Sequence, residues 1–135
     1  MTKWMIAVGL LAAMVVLPGC QPGPRQPPAT AAVAGTVQLD GKPMEEGEIA
    51  LSIPGEAPSL LPIKGGKFEG TAAIGENRVE IRAYRMGKPI MMNDQPVGEP
   101  VRENIIPIRF NGESKMSAKV EASGAKDLKF EIESN

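Results

Sequence analysis

From Ala31 onward, apolar and polar residues alternate one for one, and this alternation restricts the chain to strands. Val33, Gly35, Val37 and Leu39 fall on one side, and Ala34, Thr36 and Gln38 on the other. A side-chain period of two marks a half-buried β-strand, whereas a helix needs its apolar residues three and four apart. The same pattern recurs down the chain. Ile49, Leu51 and Ile53 alternate with Glu48, Ala50 and Ser52. Val79, Ile81 and Ala83 oppose Arg78, Glu80, Arg82 and Tyr84. Ile106, Ile108 and Phe110 share a face in a further strand. Met116, Ala118, Val120 and Ala122 oppose Lys115, Ser117, Lys119 and Glu121; Leu128, Phe130 and Ile132 oppose Lys129, Glu131 and Glu133. Phe68 anchors a strand over Lys67 to Ile74. Leu60 to Ile63 reads as a short edge strand, because Pro62 cannot donate to an interior ladder.

Turn signals separate these runs: Asp40-Gly41, Gly65-Gly66, Asn111-Gly112 and Ser123 to Asp127. Gly87 to Asn104, with Pro89, Pro96 and Pro100, reads as a long polar connection. Strands with one apolar face need a second layer to cover it. The fold class is therefore all-β, an antiparallel β-sandwich of about seven strands over 31–135, with a closed barrel as the lesser alternative. The single tryptophan, Trp4, precedes every strand, which excludes an antibody-type core.

The first twenty residues follow a different logic. Lys3 gives a basic start, and Trp4 to Leu17 is an uncharged apolar run that ends at Pro18-Gly19. Such a run is too short for a membrane span, which takes about 20 residues, and matches a secretory signal peptide. Leu17-Pro18-Gly19-Cys20 resembles the lipobox of bacterial lipoproteins, with Pro18 departing from the usual small residue. The resemblance implies that the Cys20 thiol carries a diacylglyceryl thioether and that cleavage leaves Cys20 as the N-terminus. Cys20 is the only cysteine, so no intrachain disulfide competes for it. Gln21 in place of aspartate implies, by the same resemblance, the outer membrane. Residues 1–19 are then the signal and 20–30 the lipidated cysteine with its tether. Gln21 to Pro28 is half proline, a semi-rigid spacer that would hold the body roughly 25 Å from the lipid surface.

Composition removes several function classes. The chain has no histidine, which excludes Ser/His/Asp and Cys/His catalysis and imidazole metal ligation. A formal net charge of −1 lacks the basic footprint of a nucleic-acid binder. An enzyme here would depend on carboxylates or a Ser/Lys pair. Glu45, Glu46 and Glu48 cluster near the first hairpin, where solvated loop carboxylates are the simpler reading. Asn93, Asp94, Glu99, Glu103 and Asn104 supply oxygen atoms without the spacing of a calcium loop. Met86, Met91 and Met92 read as loop methionines rather than thioether metal ligands. Arg78, Arg82, Tyr84, Arg85 and Lys88 form a basic strand that could meet an anionic glycan or headgroup. The alternative for these residues is a solvated outer face balanced by Glu80.

The order of motifs also resembles a class of small planctomycete-type lipoproteins with a transthyretin-like, carboxypeptidase-regulatory-like domain. The resemblance lies in Val33-Ala34-Gly35-Thr36-Val37, Asp40-Gly41-Lys42-Pro43-Met44, Gly47-Glu48-Ile49 and Gly66-Lys67-Phe68. It continues through Val79-Glu80-Ile81-Arg82-Ala83 and Ile106-Pro107-Ile108-Arg109-Phe110-Asn111 with Ser114, to Phe130 and Ile132. Asn77 stands where that class carries a tyrosine. The resemblance implies a prealbumin-like sandwich without catalysis or cofactor. The expected protein is a lipid-anchored envelope module, structural or binding, whose partners are the membrane and an envelope protein or glycan. A small histidine-free enzyme is the rival.

Overall fold

The computed structural model describes Gly19 and residues 23–135. Among the described residues there are twelve strands: β1 (Thr30–Leu39), β2 (Lys42–Pro43), β3 (Glu46–Ser52), β4 (Ser59–Lys64), β5 (Lys67–Ala73), β6 (Gly75–Arg82), β7 (Tyr84–Met86), β8 (Ile90–Met92), β9 (Gln95–Val97), β10 (Arg102–Asn104), β11 (Ser117–Val120) and β12 (Ala125–Ile132). The main sheet runs β11-β6-β3-β4-β5-β1-β12, with β2 added to β1. It curls on itself to give the all-β, sandwich-like fold that the alternation requires. One half is β11-β6-β3-β4 and the other β5-β1-β12. They are linked through a hairpin whose ladder holds the single pair Lys64–Lys67.

The alternating apolar residues meet between these halves. Ile49 pairs with Leu61 on one side and Ile81 on the other, and Leu51 pairs with Val79. Val33, Val37, Phe68 and Ile132 enter the same buried cluster from the other half. Full burial of an aliphatic side chain of this size stabilises by about 1.5–3 kcal/mol, so this cluster supplies the main driving force. Turn chemistry follows the sequence. Asp40 and Gly41 take φ of 52° and 76°, and Gly65 and Gly66 take 56° and 74°. These are left-handed pairs that suit two-residue hairpins.

Besides β4, which lies between β3 and β5 rather than at an edge although only Lys64 pairs with β5, the structure departs from the sequence reading in three places. Ile106 to Phe110 is not a strand: Ile106 is buried, but Ile108–Phe110 forms a 3-10 turn with Ile108 exposed. Pro107 has no N–H for a ladder, and the Asn111 side-chain amide donates to the carbonyls of Ile106 (2.8 Å) and Pro107 (3.1 Å), coiling the segment. Second, Gly87 to Asn104 is largely paired. β7 pairs with β10, and β8 with β9 through an Asn93-Asp94 turn, giving two short two-stranded ribbons. Third, the sheet is not purely antiparallel, because β12 runs parallel to β1. β11 and β12 are joined by a turn bridged between Glu121 and Gly124, yet lie at opposite ends of the strand order. The chain changes layer there, so no hairpin dictates the direction of β12.

Two buried polar residues hold the end of the sandwich. Asn77 is fully buried, and its amide donates to Ala73 O (2.7 Å) and Gly75 O (3.1 Å), clamping the β5–β6 corner. The Ser114 hydroxyl donates to Val79 O and accepts from Met116 N. Asn111 and Ser114, prominent in the motif, are therefore structural clamps.

Candidate functional site

Cys20, the expected lipid attachment point, lies outside the described residues. Of the tether, Gly23 to Pro27 are exposed and outside any strand, and the first strand opens at Thr30.

The basic strand is present, and each of its arginines has a partner within the chain. Arg78 donates to the carbonyls of Ser114 (3.1 Å), Asn111 (3.3 Å) and Gly112, and pairs with Glu80 at 3.1 Å. Arg82 pairs with Glu80 and, at 3.9 Å, with Glu48. Arg85 pairs with Glu103 at 3.2 Å on the ribbon. The Tyr84 ring carries the Arg102 guanidinium 4.6 Å from its centroid, a cation–π contact. Tyr84 and Arg102 line a cavity of about 440 Å³ together with Glu46, Glu48 and Lys64. Arg78 and Arg82 thus tie the 107–114 segment and β3 to β6, while Tyr84 and Arg85 belong to the ribbon.

Of the carboxylate candidates, Glu46 and Glu48 meet in that cavity, and the other oxygen and methionine candidates are dispersed. Glu45 and Glu46 are exposed, and Glu48 faces Arg82. Asn104 Oδ1 accepts from Ala83 N and Ile106 N, while Asn93 and Asp94 form the distal ribbon turn. Met86, Met91 and Met92 are exposed along the ribbon with Ile90 and Val101.

A second basic site is not apparent in the sequence. A groove of about 690 Å³ is lined by Lys64, Lys67, Lys126 and Lys129, with Glu69 and Asp127 as its acidic residues and Phe68, Leu128, Pro62 and Ala34 among its apolar ones. Strand register assembles it. Lys67 of β5 and Lys129 of β12 both pair with Thr36 of β1, so the three stand side by side across the sheet. The tight β4–β5 turn sets Lys64 opposite Lys67. Lys126 and Lys129 are three apart, and an unbroken strand would send them to opposite faces. Between them the register slips: Val33 pairs with Ala125 but Gly35 with Leu128, so β12 carries one extra residue. Asp127 takes φ of 65° in this bulge, and both lysines line the same groove. At Gly35, a Cβ would lie 2.7 Å from Phe68 Cζ and closer still to the Leu128 carbonyl, so glycine lets β12 approach β1 here.

No protein-family model matches this chain, and no curated protein sequence matches it. Among solved structures, the chain is similar to a DUF3823 family protein from Parabacteroides merdae, with 15% sequence identity and a TM-score of 0.43. The match covers 79% of this chain and 47% of the other, so the chain spans about half the length of that protein.

Proposed function

We propose that this chain is a lipid-anchored, non-catalytic β module of the bacterial cell envelope, of the transthyretin-like lipoprotein class, with a structural or binding role outside the cytoplasm. The observation that carries this reading is the position of the lipobox-like tetrad relative to the folded body. Leu17 to Cys20 is separated from Thr30 by a proline-rich segment whose residues Gly23 to Pro27 are exposed and belong to no strand. A thioether at Cys20 then fixes the module to a membrane, the outer one by virtue of Gln21, without involving the sandwich. The absence of catalysis is supported by composition and by placement. There is no histidine, and Glu48, Glu80 and Glu103 are each bound to an arginine.

Metabolic labelling with a fatty-acid analogue and mass spectrometry of the N-terminal peptide test the reading. The expected result is a labelled, processed N-terminus at Cys20, and an uncleaved, unlabelled precursor for Cys20→Ser. An unmodified Cys20, or cleavage at another bond, would remove the anchor from the proposal.

A further inference from the structure

We propose that the lysine-lined groove between β4, β5, β1 and β12 binds a small organic phosphomonoester, with its phosphate at the lysines and its carbon body on the apolar residues. The inference gives content to the binding role above, but it does not depend on lipidation at Cys20.

Three observations carry it. First, charge: four lysines face two carboxylates in one groove, and among the described residues none of the four forms an ion pair. The excess of two positive charges matches a phosphomonoester, which carries about −1.5 to −2 at pH 7. Second, repulsion: Lys64 and Lys67 are a directly opposed like-charge pair, an arrangement that weakens a sheet; Glu46 stands opposite Lys64 on its other flank, and Lys67 has Thr36 there. The bulge at Asp127 adds Lys126 to the side that already holds Lys129, increasing the charge rather than dispersing it. Third, size and lining: about 690 Å³ falls within the range of small-molecule sites, and Pro62 and the half-buried Leu128 offer apolar surface beside the cations, with the buried Phe68 behind them. Lysines, as flexible point charges, suit a phosphate approached from several strands.

Titration calorimetry on the full chain tests this with hexyl phosphate, inorganic phosphate and hexanol as probes. Hexyl phosphate should bind saturably and about tenfold or more tighter than inorganic phosphate, with hexanol silent; tenfold corresponds to about 1.4 kcal/mol. The double variant Lys67→Gln/Lys129→Gln should weaken hexyl phosphate about tenfold or more, and Lys64→Gln/Lys126→Gln should do the same. Lys119→Gln, whose lysine is paired with Glu121 away from the groove, should change it less than about twofold. Two further probes separate the sources of such a group: dihexanoyl phosphatidate winning over glycerol 3-phosphate assigns a lipid headgroup, and the reverse a soluble ester. Absence of saturable hexyl phosphate binding overturns the proposal, as does an equal loss in Lys119→Gln, which would mark non-specific attraction. Loss of binding in a chain that is still labelled at Cys20 would remove this inference and leave the anchor reading standing.

Discussion

Arg78 and Arg82 on β6 and Lys67 and Lys129 on β5 and β12 are all cations carried by strands of one curled sheet, but their surroundings differ. Arg78 reaches three backbone carbonyls and a carboxylate, and Arg82 lies between Glu80 and Glu48. The planar guanidinium fork suits such multiple acceptors, so these arginines act as ties within the fold. The groove lysines have no ion-pair partner among the described residues, and two of them oppose each other across a hairpin. A basic strand in a sequence is therefore poor evidence of a basic surface. The charge left over after internal pairing is what faces a ligand, and here it lies mostly on the other half of the molecule, with Lys64 at the hairpin that joins the two.

The largest effects should come from the core beneath the two faces. Ile81 is fully buried under the arginine face, and Ile81→Ala should cost about 2–5 kcal/mol in a urea melt. Phe130 lies under the lysine face, 6.2 Å from the Phe68 ring, but is only half-buried on the last strand. Phe130→Ala should cost about 2 kcal/mol, short of the roughly 3–5 of a fully enclosed phenylalanine. Equal losses at both positions would mean that the lysine face is as tightly packed as the arginine face.

The next effect separates the cations themselves. Arg78→Ala should destabilise by about 1–2 kcal/mol, because it removes the side-chain bonds to Ser114, Asn111 and Gly112 and leaves the Ser114–Val79 bond to hold the 107–114 segment to β6. Lys67→Ala should stay within roughly 0.5 kcal/mol and tend towards stabilisation, since it relieves the opposition to Lys64. Thermal and urea melts of the two variants side by side measure this. A neutral Arg78→Ala beside a costly Lys67→Ala would reverse the assignment of tie and free charge.

The smallest expected effect concerns pH. Asp40, in the turn after β1, accepts from the Ser134 backbone N–H (2.9 Å) and hydroxyl (2.7 Å), and these bonds hold its carboxyl below its ordinary value of 3.8. A depressed folded-state value stabilises the fold above the unfolded value and ceases to do so as pH falls through the folded one. Stability should therefore decline from about pH 4 downward, and Asp40→Asn should flatten that decline slightly. An unchanged slope in the variant would show that the C-terminal contact contributes nothing.

Much of the fold was legible in the residues. Period two assigned Val33, Val37, Ile49, Leu51, Val79, Ile81, Ala118, Val120 and Ile132 to the interior, and all are buried. Asp40-Gly41 and Gly65-Gly66 were legible because few residues other than Gly, Asn and Asp adopt left-handed backbone readily. The ribbons over 84–104 were obscured by proline: Pro96 sits inside β9 opposite Met91, which is tolerated because a two-stranded ribbon has free edges. The 3-10 turn at Ile108–Phe110 was obscured because three alternating apolar residues fit a strand equally well, and the deciding contacts come from the Asn111 side chain.

The sequence alone determined which residues form most of the strands and which way their side chains face, because alternation is a local property of the extended backbone. It did not determine which strands become neighbours. The parallel docking of β12 on β1, the one-residue bulge at Asp127 and the Lys64–Lys67 pair were decided by tertiary structure. Each depends on how two half-sheets close over a shared core, and no local pattern encodes that closure. Lys64 and Lys129 are ordinary exposed positions on separate strands when taken singly; only the folded sheet makes them two sides of one groove.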